Sequence, residues 1–421
     1  MRQFDNETEF ADYFNASLIL TTFATFAAEN LMHYPIALMS LLGVVGLIRE
    51  SRWRRNPGVR LVSVLFACIW LPMAVAQFDA ANFDRSLKTT LLYLHFLPAA
   101  CYIVVVCARE QVLRLVTTGV TVLLLVVVFD AFAQLIWRVD LFGYPYDGNI
   151  LMGLFYPKQR MGLFLGVFAP MFFHVIGTWS RRYPAVWIVL LPTIIVILMS
   201  LKRSGWAMLL IGFVVYIALR QRRSVKIFTA ANGAGALVLV AVLGLVLGFH
   251  PPLQQQVQRT VGIFSADVSQ IDRATSYRVT LWRTGLQIVA DNPVNGVGPR
   301  GFRKVYKDYA TADDFWLARG TQGQTHPHLL IMEVAVETGM IGVLGLLLFL
   351  WLLWRHLWRQ AGAGLPLWLL VAAVAWFPLN MHLAFYGSYW TSFVWMLIAI
   401  GVAESLTQRR HRDPQSATPE P

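Results

Sequence analysis

Two pairs of cations stand where a membrane chain ordinarily carries few. Lys158 and Arg160 lie near the start of one long apolar run, and Lys202 and Arg203 share a connection of a few residues between two others. A cation held at or just below the headgroup level is costly unless paired, which makes each a candidate ligand contact. The plain alternative is snorkelling to lipid phosphate. Two such clusters, with Arg273, Arg278, Arg283, Arg300 and Arg303 in the polar segment that follows, favour an anionic ligand at the outer membrane face. Arginine suits phosphate because its planar fork makes two parallel charge-assisted hydrogen bonds and stays protonated. A diphosphate is the matching group. The polar segment has no Asp-x-Asp motif and no His/Cys cluster at metal spacing, and Asp313-Asp314 alone is a weak signal. Arginines, rather than a divalent metal, are expected to neutralise the anion, with no cofactor.

A candidate base stands at the end of that polar segment. Thr325-His326-Pro327-His328 runs directly into an apolar stretch, which predicts His328 at the first turn of a membrane helix. The helix dipole disfavours the charged imidazole there, so one ring nitrogen can accept a proton. The plainer reading is a histidine that caps the helix or bonds a loop carbonyl. Glu337 follows nine residues on, and Gly339, Gly342 and Gly345 form a near-helical series of small residues suited to close helix packing.

These groups need a membrane scaffold, and the composition supplies one. Hydrophobic residues make up 57% of the 421 residues and charged residues 14%, with a mean hydropathy of +0.55. Such values lie outside the range of soluble domains. A helix crossing about 30 Å of hydrocarbon needs about 20 residues. Apolar runs predict an all-α polytopic membrane protein with about twelve spans, near 14–29, 31–48, 61–77, 89–107, 115–137, 153–178, 184–200, 204–219, 227–249, 328–353, 363–382 and 388–405. Residues 1–249 then hold spans one to nine, 250–327 a large outer loop, 328–405 spans ten to twelve, and 406–421 a cytoplasmic tail. The acidic start (Asp5, Glu7, Glu9, Asp12) reads as a retained first span rather than a signal peptide. From Asp413 the tail is short, polar and expected to be disordered.

Even-numbered exits carry Arg49, Arg52, Arg54, Arg55 and Arg60, then Arg109 and Arg114, Arg181 and Arg182, and Arg220, Arg222, Arg223 and Lys226. Arg355, Arg359, Arg409, Arg410 and Arg412 complete the pattern. Positive-inside asymmetry therefore predicts both termini in the cytoplasm. The net charge of +12 is a matter of membrane sidedness, not of nucleic acid. Cys68, Cys101 and Cys107 lie inside apolar runs and suggest neither a disulfide nor a metal site.

The loop from His250 to His328 is too long and polar for a hairpin and is expected to fold as a cap. Within it, Val279, Trp282, Leu286 and Val289 mark the apolar face of a helix over 276–290, ended by Asn292-Pro293, and a Gly-rich turn follows at Gly296–Gly301. Tyr306, Tyr309, Phe315 and Trp316 could line a sugar pocket, although aromatics in a folded cap are more often core.

Several of these segments together resemble the O-antigen ligase and polymerase superfamily of bacterial inner membranes, over most of the chain. Family ligases carry, at the end of the large periplasmic loop, a His followed by Asn, Ser or Gln, nine free positions, Gly, two free positions and a small residue. Here His328-Leu329 is followed by nine residues, Gly339 and, three further on, Gly342. Leu329 departs from the pattern, and His326 upstream is the candidate to supply the missing polar group. Lys202-Arg203-Ser204-Gly205 looks like the family's Ser/Lys-Arg-Ser/Gly start of a span. Tyr277-Arg278-Val279-Thr280-Leu281-Trp282, with Asp291-Asn292-Pro293 and Gly296-Val297-Gly298-Pro299 downstream, is similar to the family's Arg-x-x-x-Trp helix, Pro and Gly-x-Gly turn.

The resemblance implies a GT-C-like glycosyltransferase that moves a glycan from undecaprenyl diphosphate to an acceptor hydroxyl, here a sugar of lipid A-core, at the periplasmic face. It implies Arg203 and Arg278 on the diphosphate, with Lys158, Arg160 and Lys202 as further phosphate contacts. His328 would act on the hydroxyl, and His326, Arg300 and Glu337 are auxiliary candidates. Its partners are the lipid-linked donor, the lipid A-core acceptor and membrane lipids. Polymerases tend to have two sizeable periplasmic loops and protein-glycosylating relatives extra sequence after the last span, so ligation is favoured over both. A secondary transporter or flippase is the alternative of another class, on the strength of Asp130 within the fifth apolar run. No inverted repeat supports it.

Overall fold

The computed structural model describes residues 2–410 apart from 29, 181, 223–229, 313, 319–322, 362–363 and 380–382. Arg181, Arg223, Lys226, Asp313, Arg412 and the expected tail from Asp413 lie outside the described residues. The fold is all-helical. Among the described residues the only extended pairing is one isolated bridge, Val139 to Pro145.

Helices form where the apolar runs lie, and among the described residues six are long and apolar enough to cross a membrane: Pro57–Val75, Phe83–Cys107, Glu110–Trp137, Arg203–Gln221, Leu330–Ala361 and Ser388–Arg410. Met161–Val167 and Ala169–Trp179, bent by 47°, make a seventh if taken as one broken span. That is fewer than the twelve runs suggest, for a reason of length. His33–Arg49 and Leu190–Met199 fall short of about 20 residues, and the run at 363–382 yields only Leu367–Ala375 after Pro366. The chain is a multi-pass membrane protein.

Ser388–Arg410 is the central helix, with 94% of its apolar window buried. Phe393 meets Phe26, Phe164, Phe168 and its own helix's Trp390, and Trp395 meets Trp376 and Phe349, in edge-on and tilted ring contacts. Such geometry satisfies the aromatic quadrupoles in a close-packed core.

Between Ala230–Phe249 and Leu330–Ala361 the polar segment forms four short helices, Pro251–Val261, Val268–Ala274, Arg278–Asp291 and Phe302–Tyr309. It has its own small core of Leu281, Ile288, Val297, Phe302 and Tyr306, which Val336 of the long helix completes. The expected 276–290 helix is present, but a different face is buried. Leu281, Thr284, Gly285 and Ile288 pack inward, whereas Leu286 is 59% exposed. This helix is apolar on two sides, and the inner side is the one that meets Met332 and Val336. Tyr306, whose hydroxyl donates to Asp314 at 2.7 Å, is core, and Phe315 stacks on Tyr277, so these aromatics close the segment on itself.

Gly339 does something other than ease helix packing. It interrupts Leu330–Ala361 at φ 61°, ψ −159°, and the kink opens backbone groups that the Pro293–Val297 turn takes up. Val297 N donates to Val336 O (3.0 Å), Met340 N to Pro293 O (2.8 Å) and Ile341 N to Val294 O (3.1 Å). A Cβ on Gly339 would fall 2.3 Å from Val294 O, and one on Gly296 2.5 Å from Val336 O. Gly345, by contrast, does allow close packing, lying against Cys68 O of Pro57–Val75. On its far side the turn takes a bond from Ala81 N to Val297 O (3.0 Å) and gives one from Asn295 to Asp79 (2.7 Å).

Gly339→Ala should therefore lower thermal stability in detergent by more than the roughly 1–3 kcal/mol of an L-residue in this nearly Gly-only backbone region, because a backbone clash adds to it. Gly244→Ala, in open space on Ala230–Phe249, is the control and should leave the melting temperature unchanged or raised. Equal melting temperatures for the two variants would refute this account of the kink.

Candidate functional site

Arg203 begins the Arg203–Arg222 helix, two residues after Leu201, which is left-handed at φ 52°. Its guanidinium reaches up to the polar segment, donating to Ala274 O and to Ser276 Oγ (3.0 Å). Arg278 begins the Arg278–Asp291 helix of the polar segment, after Ser276 and Tyr277, both left-handed. The two arginines share the wall of one cavity of about 530 Å³ whose remaining lining is mostly apolar, including Met208, Ile211, Ile271 and Phe377. Val279 and Trp282 line it too, which accounts for the second apolar side of their helix.

Burial, and then the charge of Arg203, push the Arg278 guanidinium down from 12.5 to about 10. Burial, and then Arg278, lower the Lys202 ammonium. Lys202 also donates to the side chain of Gln159, between Lys158 and Arg160. Like charges so arranged form a field that an anion relieves.

Trp282 connects this cavity to the histidines, its indole N–H donating to Pro327 O at 3.1 Å. His326 and His328 face each other with ring centroids 3.9 Å apart, and His328 Nε2 lies 3.3 Å from Gln324 Oε1. His328 is not in the first helical turn. It precedes Leu330 by two residues and is left-handed at φ 53°. Proline at 327 shapes this turn and the helix starts only after it.

On the other side of the turn, His326, Arg160 and Arg300 line a second cavity of about 310 Å³, walled by Leu383–Trp390. The Arg160 guanidinium lies 4.0 Å from the Tyr389 ring centroid. Arg300 is carried on the docked glycine turn, left-handed at φ 64°. Its backbone N donates to Glu337 Oε2 at 2.6 Å. Glu337, a candidate auxiliary to the chemistry, is fully buried and holds this turn. Glu333 performs a similar task, accepting from Phe385 N (3.0 Å) while its other oxygen lies 3.9 Å from Arg300 Nη1.

The structure thus joins Arg203 with Arg278, Lys202 with the Lys158–Arg160 turn, and His326 with Arg160 and Arg300. Lys158 contributes its backbone N–H to Phe155 O and lines neither cavity. Asp130, the carboxylate that suggested proton relay, is buried and accepts from Leu141 N at 3.1 Å, so it organises the turn after its own helix. Sequence reading passed over Arg85 and Lys88, which with His33, His95 and Arg300 line a further cavity of about 780 Å³. The signal was present: two cations one helical turn apart at the start of an apolar run, as at Lys158 and Arg160.

Because Arg278 is depressed in the folded chain, its charge opposes folding. The penalty is complete below about pH 10 and is relieved as pH rises from there toward 12.5. At neutral pH an anion should relieve it instead. Inorganic pyrophosphate should raise the melting temperature, by the equivalent of about 2.7 kcal/mol at a hundredfold excess over its dissociation constant. Arg278→Ala should lose most of that gain, and sodium chloride at matched ionic strength should not reproduce it. An identical gain in Arg278→Ala would show that the anion binds elsewhere.

Comparison with known proteins bears on the same residues. No curated protein matches the chain. Residues 188–347 match the family model described as O-Antigen ligase. That stretch contains Lys202, Arg203, Arg278, His326, His328 and the kink at Gly339, and over it the chain is similar to the O-antigen ligase family.

Proposed function

We propose that the protein is an O-antigen ligase that transfers a glycan from undecaprenyl diphosphate to a sugar hydroxyl of lipid A-core, inverting the anomeric carbon. On this reading the 250–327 segment is a periplasmic cap on an inner-membrane bundle of about twelve spans with both termini in the cytoplasm. The observation that carries it is the cavity walled by Arg203 and Arg278. It is charged at one edge and apolar below, as a polyprenyl tail with a diphosphate head requires, and Trp282 ties it to the His326–His328 turn.

The acceptor oxygen attacks the anomeric carbon as its proton passes to a ring nitrogen of His328. The bond from that carbon to the diphosphate oxygen breaks, and the electron pair leaves with the diphosphate. Arg203 and Arg278, rather than a divalent metal, stabilise the departing charge, a placed effect worth about 3–4 kcal/mol per donor. Lys202 adds field at the same place, whereas Arg160 stands at the second cavity with His326. The left-handed His328 backbone and the packed His326 ring keep the base in one orientation. Ligation is favoured over polymerisation because only residues 200–202 join Trp187–Met199 to Arg203–Arg222, leaving one long segment on that side.

His326 merits its own assignment, since it lines the cavity shared by Arg160 and Arg300. With purified protein, lipid-linked donor and lipid A-core acceptor, His328→Ala should reduce transfer by about 10²–10⁴-fold. Arg203→Lys and Arg278→Lys should also fail, because an ammonium cannot reproduce the bidentate fork. Full transfer by His328→Ala with loss in His326→Ala would move the base to His326. Growth of free donor chains with no capped core would identify a polymerase instead. Proton-driven transport in proteoliposomes, with no covalent product, would overturn the reading altogether.

A further inference from the structure

The cavity of about 780 Å³ lined by His33, Arg85, Lys88, His95 and Arg300 is left without a task by the mechanism above. Arg85 and Lys88 are exposed one turn apart on Phe83–Tyr93, and neither makes a salt bridge among the described residues. No carboxylate lines this cavity among the described residues. Arg300 Nη1, although buried, has no hydrogen-bond partner among them, its nearest carboxylate oxygen being Glu333 Oε1 at 3.9 Å. A buried guanidinium N–H without a partner is costly and marks a place for a ligand acceptor. Nearby, burial and then the charges of Arg300 and Arg85 depress Arg303 to about 10. Glu333 and Glu337 offset part of this field from behind Arg300, and among the described residues no carboxylate does so on the side of Arg85 and Lys88 that lines the cavity.

The position of this cavity decides which substrate it serves. It shares Arg300, Gly387 and Ser388 with the smaller cavity that contains His326 and Arg160. It shares no lining residue with the apolar cavity of Arg203 and Arg278. The histidine turn thus has an almost wholly apolar cavity on one side and a basic cavity of mixed lining on the other. Its volume and hydroxyl-bearing lining (Thr89, Ser388 and Thr391) suit a sugar with a charged substituent better than a polyprenyl chain.

We propose that this cavity binds a phosphate group on the acceptor glycolipid, through Arg85, Lys88 and Arg300, and so presents the acceptor hydroxyl to the histidines from the side opposite the donor. The proposal rests on the glycan-transfer reading above and names its acceptor subsite. A phosphate at Arg85 and Lys88 would fix both where the acceptor sits and which hydroxyl reaches the turn, because two cations and Arg300 define a plane rather than a point. The anionic headgroup of a bulk phospholipid has the same chemistry, and lipid composition separates the two sources.

The test uses the full-length protein in phosphatidylcholine nanodiscs, with phosphorylated lipid A-core and the same acceptor after phosphatase treatment. Arg85→Ala/Lys88→Ala should raise the KM for phosphorylated acceptor by about tenfold or more, with the donor KM shifted by less than about twofold. Removing the acceptor phosphate should raise the wild-type KM to a similar degree, after which the double substitution adds nothing. The charge-conserving Arg85→Lys/Lys88→Arg variant should recover most of the affinity, which a folding defect would not allow. Unchanged acceptor KM in the alanine variant, alongside wild-type transfer, overturns the subsite and leaves the function standing. So does a variant that weakens phosphorylated and dephosphorylated acceptors equally. An effect that appears only when phosphatidylglycerol is included assigns the cavity to membrane lipid and overturns the proposal. No transfer to any glycolipid by the wild type removes the functional reading and the subsite with it.

Discussion

The break at Gly339 is the constraint on which the arrangement of charged groups depends. A continuous helix through this point would satisfy its own carbonyls and amides and offer nothing to a neighbour. With Gly339 at φ 61°, Val336 O and the N–H groups of Met340 and Ile341 turn outward and receive the Pro293–Val297 backbone instead. That docking places Arg300 beside Glu333 and Glu337 and seats Phe302 and Tyr306 in the small core that Val336 completes. Backbone hydrogen bonds withdrawn from bulk water fix position more closely than side-chain contacts alone, since each unmade bond would leave a buried donor or acceptor unsatisfied. A kink in one long helix thereby sets the height and angle of the polar segment above it.

A second consequence is the separation of two environments around one short turn. Trp282 reaches Pro327 O from the apolar cavity, while His326 faces the cavity of Arg160 and Arg300. The cations differ accordingly. Arg203 is tied to Ala274 O and Ser276 and shares its cavity with Arg278, so those two are presented to a ligand in low dielectric, where electrostatic attraction is strong. Arg85 and Lys88 are exposed to solvent and draw anions through a screened field. The proposed transfer of a glycan from a lipid-borne diphosphate, which departs, to a water-facing hydroxyl calls for such a pairing.

Much of the candidate site was legible because charge in apolar surroundings is conspicuous. Lys202, Arg203 and Arg160 stand out by their cost, and Arg278 as one of the arginines of the polar segment and by its match to the Arg-x-x-x-Trp pattern. Other features were misread for identifiable reasons. Periodicity marked Val279, Trp282 and Leu286 as the inward face, yet a helix lying against both protein and an apolar cavity has two such faces, and spacing alone does not say which one packs. His328 was expected within a helix that Pro327 delays. Gly339 was expected to serve helix packing, as Gly345 does, whereas it supplies a conformation that an L-residue rarely adopts. Tyr306 and Phe315 could equally have lined a sugar pocket, and only their contacts show that they close the segment on itself. Arg85 and Lys88 were overlooked because Asp84 beside them makes the stretch look like an ordinary solvated helix start.

What the amino-acid sequence determined by itself is the helical membrane class and the identity of the charged and basic groups. Those follow from transfer free energies and chemical type, which are local properties. Tertiary structure alone decided which cations share a cavity, which histidine faces which side, and that Glu333 and Glu337 hold the turn bearing Arg300. Those relations depend on contacts such as Arg203 with Ser276 and Trp282 with Pro327, 73 and 45 residues apart in the chain. They depend also on one backbone break whose effect is felt only by the segment that docks into it. No periodicity or propensity encodes a distance of that kind; it arises when the separate elements are packed together.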